Sequence, residues 1–442
     1  MIFQIFTALL STKPTRKMLL YIKQTRWANA LPIAMVKEWK QKDFIYQNNT
    51  FNLIGHNCLQ QFPIIAKKWK FSNALIITDP VLTKTGLVKQ VTDQLQKLKI
   101  QYAIFEGVLP NPTIKIVQEI TNFYLASKCD ALISIGGGSA HDAMKAACLL
   151  LSNDCQEVRK YQGLNVTKHA PVMPIIAINT TAGTGSGTTN VAVITDEQSH
   201  TKMTLVDKNI QPHVIIDDSN LMVGLPPKPS TWVGVDTLVH ALEAYLSPVQ
   251  NVIVQTYAKR TLQLVLQYLP IIYKEPSNIE AREKLAYAEF MAGSAFNCAS
   301  LGFVHSLSHA VSGTFNTPHG LANALILPYV LDYEINNEIV ITKLCELSEF
   351  LNISRNMPTS IEKAKIFLSY LVNFLRKLDI PTKLTDVQPT ITKQQLKSMN
   401  KKAMRDFCGI SNPVQFSRSE VLHIYQNIIE GKFENIKYEE NS

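Results

Sequence analysis

Short apolar runs alternate with longer helical patterns along the first half of the chain. Four of the runs predict buried strands: NALIIT (73–78), IQYAIF (100–105), ALISI (131–135) and MPIIAI (173–178). A helical pattern extends through residues 82–98, and the turn signal LPNPT begins another helix. Strands and helices that alternate at these lengths are typical of βαβ units, so the pattern predicts a parallel sheet.

The pattern changes near LPPKPS (225–230), where strand signals end and long helical patterns continue to the C-terminus. The fold class predicted is therefore α/β plus all-α. We expect a basic amphipathic N-terminal extension over residues 1–42, an α/β domain over 43–224 and a helical domain over 225–442.

The composition is that of a globular protein, since 442 residues with 46% hydrophobic residues are enough for two domains with substantial cores. No apolar run reaches the roughly 20 residues that a transmembrane helix needs. The seven cysteines are scattered without a CxxC pair. This usage indicates reduced thiols in a cytoplasmic compartment and argues against a disulfide framework or a cysteine-based zinc site.

Most of the net charge of +9 lies at the N-terminus. Residues 1–42 carry eight Lys and Arg against one acid, a charge of +7, which leaves +2 for the other 400 residues. A body so close to neutral argues against nucleic-acid binding. The extension also contains Trp, Phe and Leu, and three interpretations stay open: a bland extension or oligomer contact, a helix at a membrane surface, and a targeting sequence.

Two loops rich in small residues follow predicted strands. The first, GGGSAHDAMKAA, combines glycines with the start of a helix, an arrangement that can cradle a phosphate, although a tight turn is the alternative. It departs from the GxGxxG fingerprint because His141 stands at the third glycine position. The second loop, NTTAGTGSGTTN, is either a surface loop or a ligand contact.

Asp79 directly follows the strand run 73–78. An acid in this position can accept hydrogen bonds from an adenosine ribose and would repel a 2′-phosphate, which favours NAD over NADP. Capping of the next helix is an alternative of equal weight.

Five potential metal donors lie in the helical half. Asp236 and His240 are four residues apart in VDTLVHALEAYLS, and His305 and His309 have the same spacing in GFVHSLSHAVSGTFNTPHG, which ends with His319. Residues at i and i+4 share one helix face and can chelate one cation. Carboxylate and imidazole suit Fe(II), Zn(II), cobalt or nickel. The spacing alone does not show which histidine is not a ligand.

These four motifs, in this order and spacing, resemble those of the iron-containing (group III) alcohol dehydrogenases. The resemblance runs from about residue 44 to about 430, and the GGGS-AHD variant with YQGLNV is most similar to the methanol, ethanol and butanol dehydrogenase type. It implies an NAD(P)-binding α/β domain and a helical metal-binding domain of the dehydroquinate synthase-like fold, with the active site in the cleft between them. It also implies an NAD(P)-linked alcohol dehydrogenase that acts on a small alcohol or aldehyde.

The resemblance assigns roles to individual residues. The metal ligands it implies are Asp236, His240, His305 and His319. His309 would be the catalytic residue, facing the substrate and relaying a proton. The residues expected to bind the cofactor are Gly137, Gly138, Ser139 and Asp142 at the pyrophosphate, and Asp79, Thr180, Thr181 and Lys202 elsewhere. The expected cofactors are Fe(II), with Zn(II) or another divalent metal as the alternative, and NAD, with NADP as the alternative.

Two positions depart from the family pattern: Gly187 stands where relatives usually have Glu, and Val414 where Arg commonly follows Asn-Pro. A homo-oligomer in the cytoplasm is expected, with membrane-surface contact through residues 1–42 as an open alternative. Two rival functions are a hydroxyacid–oxoacid transhydrogenase of the same superfamily and a membrane-surface protein with a vestigial dehydrogenase body. Loss of metal ligands would mark the vestigial case, and none is lost.

Overall fold

The predicted alternation of strands and helices is found in the structure, a computed structural model that describes residues 50–153, 157–167, 169–199, 201–249, 251–354 and 357–436. The extension over residues 1–42 lies outside the described residues. The described strands are β1 Phe51–Gly55, β2 Asn73–Ile77, β3 Gln101–Phe105, β4 Ala131–Gly136, β5 Gly163–Leu164, β6 Ile175–Asn179, β7 Val191–Asp196, β8 Thr201–Val206 and β9 Val214–Asp218.

Helices lie between several of the strands, and helices and the segments that connect them follow the last strand. Those up to the last strand are α1 Phe62–Trp69, α2 Pro80–Lys84, α3 Leu87–Lys97, α4 Ile114–Ala126 and α5 Gly138–Ser152. Those that follow it are α6 Ser219–Met222, α7 Pro227–Leu246, α8 Val252–Lys274, α9 Ile279–Ala299, α10 Phe303–Phe315, α11 His319–Glu334, α12 Glu338–Phe350, α13 Ser360–Arg376, α14 Lys393–Ala403 and α15 Arg418–Glu430.

The chain divides into two units. Among the described residues, the α/β unit comprises 50–230 and Lys274–Asn297, and the helical unit comprises Thr231–Tyr273 and 298–436. Most of α9 therefore belongs to the α/β unit, although it follows the last strand in sequence. The domain limits expected at residues 43 and 225 stay predictions.

A six-stranded sheet organises the α/β unit, with strand order β1-β9-β6-β4-β2-β3. Every neighbouring pair in it is parallel. The chain passes from β2 to the edge strand β3 and then returns to β4 on the other side of β2. The strand order thus reverses between β2 and β4, and in such sheets ligands bind outside the carboxyl ends of the strands at this reversal.

Both faces of this sheet are covered, which explains its continuous apolar strands. Leu75 and Ile77 of β2 belong to a core that also contains residues of α4 and α5. Ala74 and Ile76, pointing the opposite way because side chains alternate along a strand, belong to a second core with α1 and α3. A smaller sheet has the strand order β5-β8-β7, and its apolar side chains pack into the same core as α4 and α5.

In the helical unit, α10 packs against α11 and α14, and α12 packs against α13. Among the described residues, none of the helices has the length and apolar content that crossing a bilayer would require.

The loop after β6 is held in place by buried side chains of the α/β unit. Glu289 of α9 accepts a hydrogen bond from the Gly185 N–H at 2.9 Å, and the Lys145 ammonium of α5 donates to Ser186 Oγ at 3.0 Å. Gly187 lies in the single 3₁₀ turn Ser186–Thr188. A glutamate at position 187 is therefore not needed to fix the loop.

We predict that Gly187→Ala is accepted and stabilises the protein by about 0.4–1 kcal/mol, because alanine restricts the unfolded chain. A Cβ at this position would lie 3.5 Å from the Ile215 side chain, an ordinary contact. The control is Gly185→Ala, where φ is +61° and a Cβ would lie 2.9 Å from the Gly293 Cα. This control should lose about 1–3 kcal/mol. Urea unfolding measures both, and equal destabilisation by the two variants would contradict the placement of Gly187.

Candidate metal centre and cofactor-binding edge

Helix α7 supplies the first two donors of a buried cluster in the helical unit. Asp236 and His240 lie one turn apart and are 2% and 4% exposed. The Nε2 atom of His240 is 3.8 Å from Oδ1 of Asp236. The i,i+4 spacing read from the sequence therefore places both side chains at the same point.

Helices α10 and α11 bring two further histidines to this carboxylate oxygen. The Nε2 atoms of His305 and His319 lie 3.8 Å and 3.7 Å from Oδ1 of Asp236. His305 is near the start of α10, and His319 is the first residue of α11. All three Nε2 atoms therefore lie within 3.8 Å of one carboxylate oxygen. The ligand atoms of Asp236, His305 and His319 also lie within 4.8 Å of one another, a closer group to which His240 does not belong. This donor set fits a divalent cation that binds nitrogen and oxygen ligands.

The amide group of Asn323 lies among these donors. Its Nδ2 donates to Oδ1 of Asp236 at 2.6 Å and lies 3.2 Å from the Nε2 atoms of both His305 and His319. The lone pairs of Asp236, His305 and His319 thus face the positively polarised N–H₂ group of the Asn323 side chain. A divalent cation would satisfy the same lone pairs more fully, so the residues present fit a metal ion.

The fifth predicted donor, His309, is oriented differently. Its Nδ1 atom is 2.8 Å from Oδ2 of Asp406, and its ring stacks on that of His319 with centroids 5.0 Å apart. Burial would raise the pKa of Asp406, but the contact with His309 and the Cys408 N–H outweighs it and holds the pKa below its usual range. The structure thus gathers Asp236, His305 and His319, places His240 within 3.8 Å of the same carboxylate, and pairs His309 with Asp406.

In the α/β unit, six of the eight residues expected to bind the cofactor lie at the carboxyl ends of β2, β4 and β6, and Asp142 and Lys202 lie elsewhere. Gly137 precedes α5, and Gly138 and Ser139 form its first turn, where free N–H groups favour an anion. The Thr180 N–H donates to the Gly136 carbonyl at 3.0 Å. A Cβ on Gly137 would lie 2.9 Å from Thr181 Oγ1, so only glycine permits this approach of the two loops.

Asp79 caps α2, as the alternative interpretation of the sequence expects. Its Oδ1 accepts hydrogen bonds from the N–H groups of Val81 and Leu82 at 2.8 and 3.1 Å. In the β2–β4 pairing, Ile77 is opposite Ser134. Extending that register by two residues sets Asp79 beside Gly136, at the point where the strand order reverses. Asp79 therefore caps α2 at the position in the sheet where ribose binding was predicted, and ribose binding stays a prediction.

Asp142 is partly buried, and both oxygens of its carboxylate accept hydrogen bonds from the protein. Its Oδ1 accepts from Ser186 Oγ at 2.6 Å and its Oδ2 from the Val193 N–H at 3.0 Å. Burial raises the pKa of this carboxyl above its usual value. Lys202 on β8 acts electrostatically on the same carboxylate. In this structure Asp142 anchors the loop after β6, and a contact of Asp142 or Lys202 with a cofactor stays a prediction.

Two family models together match most of the chain. The model described as iron-containing alcohol dehydrogenase matches residues 49–219, and the C-terminal model of the Fe-containing alcohol dehydrogenase family matches residues 231–429. The chain belongs to the iron-containing alcohol dehydrogenase family.

Named relatives agree with this assignment. Alcohol dehydrogenase 4 of Schizosaccharomyces pombe is 35% identical over 86% of this chain and 87% of its own length. The NAD-dependent methanol dehydrogenase of Bacillus methanolicus is 34% identical over 86% of this chain and 98% of its own length. The crystal structure of a 1,3-propanediol oxidoreductase superposes with a TM-score of 0.84 at 30% identity, covering 88% of this chain and all of that one.

The family assignment confirms three expectations from the sequence. The fold class is a parallel-sheet domain with a helical domain, and the chain is an enzyme of the iron-containing alcohol dehydrogenase family. Its reaction class is the oxidoreduction of alcohols and aldehydes. The assignment of individual residues to the metal, the cofactor and proton transfer stays a prediction.

Two carboxylates, one beside a candidate metal ligand and one beside the predicted catalytic histidine, were not predicted from the sequence. Glu243 of α7 accepts from Nδ1 of His305 at 2.5 Å and from the Val304 N–H at 2.7 Å. Burial raises the pKa of Glu243 to about 7. Glu243 could have been predicted from the sequence, because it lies seven residues after Asp236 and therefore on the same face of α7. Asp406 is 97 residues from His309, and no local spacing connects them.

The contact with Glu243 fixes which nitrogen of His305 faces the metal donors. A carboxylate on Nδ1 keeps the proton there and leaves the Nε2 lone pair directed at the centre. Such a partner should therefore strengthen metal binding through His305.

We predict that Glu243→Gln weakens metal affinity by about 10–100-fold, because the amide has one acceptor oxygen where the carboxylate uses two. Competition between the protein and a chelator for Fe(II) measures this affinity. The matched control is Glu346→Gln, since Glu346 accepts a hydrogen bond from Tyr245 at 2.6 Å. Equal affinity in wild-type protein and Glu243→Gln would show that Glu243 does not act on the metal through His305.

Proposed function

We propose that the enzyme is a metal-dependent, NAD-linked alcohol dehydrogenase that interconverts a small primary alcohol and its aldehyde. The observation that carries the proposal is the convergence of the Nε2 atoms of His240, His305 and His319 on the Asp236 carboxylate, at 3.7–3.8 Å. The names of the relatives, among them an NAD-dependent methanol dehydrogenase, support the substrate class and the cofactor.

Asp236, His240, His305 and His319 would hold the metal. Their hard-to-borderline donors favour Fe(II), with Zn(II) as the alternative. When bound, a divalent cation supplies Lewis-acid polarisation of the substrate oxygen, and NAD supplies the hydride acceptor. Asp236, His240 and His305 are buried, whereas the His319 side chain is 27% exposed and lies on the more accessible side of the centre.

His309 would accept the hydroxyl proton at Nε2. The contact between its Nδ1 and Asp406 at 2.8 Å keeps the other proton of the ring on Nδ1, so that the Nε2 lone pair is available. The carboxylate of Asp406 then stabilises the imidazolium that forms. Asp406 is thus a positioning residue for the proposed proton transfer.

On the α/β unit, the first turn of α5 would bind the pyrophosphate of NAD through its N–H groups. The Asp79 carboxylate would accept hydrogen bonds from the adenosine ribose. Thr180 and Thr181, at the adjacent end of β6, would contact the rest of the cofactor. All of these residues border the reversal of strand order between β2 and β4, which supports the placement.

A cytoplasmic, homo-oligomeric enzyme is part of the proposal. The described cysteines are all free thiols, as expected in a reducing compartment. The oligomer follows from the family resemblance. Contact of residues 1–42 with a membrane surface rests on their composition alone, because they lie outside the described residues.

The experiment that tests the function is NADH formation by anaerobically purified, Fe(II)-loaded protein on a panel of short primary alcohols and diols. We expect turnover that is lost on treatment with a chelator and restored by Fe(II). Chelator-resistant turnover would contradict the metal's role. Bound metal and bound NAD without turnover would shift the assignment to transfer of hydride between a hydroxyacid and an oxoacid.

We predict that Asp79→Asn raises the NADP-to-NAD ratio of kcat/KM by about tenfold, or ~1.4 kcal/mol, by removing the charge that repels a 2′-phosphate. Asparagine keeps the cap of α2, so the helix start is preserved. The control is Asp93→Asn, an exposed acid of α3 paired with Lys89. Steady-state kinetics with both cofactors measure the ratio, and an unchanged ratio would mean that Asp79 does not face the ribose.

A further inference from the structure

A second group of potential ligands lies next to the proposed metal centre and is not used by it. His309, Asp406 and Cys408 each offer one donor atom, and these three atoms lie within 4.8 Å of one another. His309 comes from the middle of α10, Asp406 from the segment after α14, and Cys408 from the 3₁₀ turn Cys408–Ser411. Two separate parts of the helical unit thus meet at this group.

The donors of this group differ in chemistry from those around Asp236. The first centre has three imidazoles and a carboxylate, whereas this group has an imidazole, a carboxylate and a thiol. Thiolate ligands favour soft and borderline cations such as Zn²⁺ and Cd²⁺. In tetrahedral zinc sites, ligand atoms about 2.0–2.3 Å from the metal are themselves separated by roughly 3–4 Å, a spacing this group can adopt.

The three side chains already lie together before any cation arrives, and the His309 and Asp406 donor atoms would separate slightly to admit one. Oδ2 of Asp406 is 2.8 Å from Nδ1 of His309, and Oδ1 accepts from the Cys408 N–H at 2.9 Å. The side chains of His309 and Asp406 are 9% and 12% exposed, so neither is completely enclosed. Burial raises the pKa of the Cys408 thiol well above its usual value, so the thiol carries its proton until a cation displaces it.

We propose that His309, Asp406 and Cys408 form a second cation site, specific for thiophilic divalent cations, and that its occupation blocks the enzyme. On binding, the S–H bond of Cys408 breaks, a bond between sulfur and the cation forms, and the proton passes to solvent. The single ring proton of neutral His309 moves from Nδ1 to Nε2 by exchange with solvent, and the cation binds the Nδ1 lone pair that is set free. Nε2 then carries this proton and cannot accept another from a substrate hydroxyl; this consequence rests on the proposed function.

The test uses full-length, Fe(II)-loaded protein titrated anaerobically with Cd²⁺ alone. We expect one Cd²⁺ per chain with iron retained, measured by elemental analysis after desalting. We also expect an ultraviolet charge-transfer band from thiolate to cadmium. The band should be lost in Cys408→Ser and kept in the matched control Cys58→Ser, whose thiol hydrogen-bonds to the Leu53 carbonyl. Iron content and circular dichroism check that the variants are folded.

Asp406→Asn provides a second variant that keeps the thiol, and it should shift the cadmium titration to higher concentration. An equal band in Cys408→Ser, no band in wild-type protein, or replacement of iron by cadmium one for one would each overturn the site. A cadmium–thiolate band without loss of turnover would overturn the proposal that the bound cation inhibits the enzyme. Failure of the proposed function is distinguishable, because it would appear as absent turnover before cadmium is added, while the band would still report the site.

Discussion

The helical unit depends on the burial of one carboxylate, that of Asp236. This side chain is 2% exposed and has Nε2 atoms of three histidines within 3.8 Å of one oxygen. A buried carboxylate is costly unless it is paired or hydrogen-bonded. Its partners come from α7, α10 and α11, so these helices must approach one another at a single point. The contacts that satisfy the Asp236 carboxylate therefore also fix how these three helices pack.

The start of α10 is fixed by a buried polar network instead of a local cap. Gly302 offers no side chain, and the first N–H groups of the helix donate to Asn412 and Glu243, at 2.9 Å from Phe303 and 2.7 Å from Val304. Asn412 in turn donates to Glu334 at 2.5 Å. Burial raises the pKa of Glu334 to about 8. Each buried group has a partner, as a network in a low-dielectric interior requires.

This network also accounts for the departure at position 414. Asn412 donates to the backbone carbonyl of Val414 at 2.7 Å. Since a backbone oxygen makes the contact, valine can provide it as well as arginine can. The network therefore tolerates the change of side chain.

Local patterns predicted those parts of the structure that depend on neighbours in the sequence. The strand runs at 73–78, 100–105, 131–135 and 173–178 are β2, β3, β4 and β6, and the i,i+4 pairs lie on helices. The helical pattern over 82–98 is divided, because Gly86 separates α2 from α3. Asn323 is four residues from His319 on α11, so the helix spacing could have indicated it. Asp406 comes from a distant segment, and only the tertiary structure connects it with His309.

The most direct measurement of the central claim is the anomalous difference density of crystals of the Fe(II)-loaded protein, collected at the iron edge. The account predicts one iron peak in coordination contact with the Asp236 carboxylate and with Nε2 of His240, His305 and His319, while His309 remains paired with Asp406. A peak elsewhere, or one with His309 in place of any of these ligands, would contradict it.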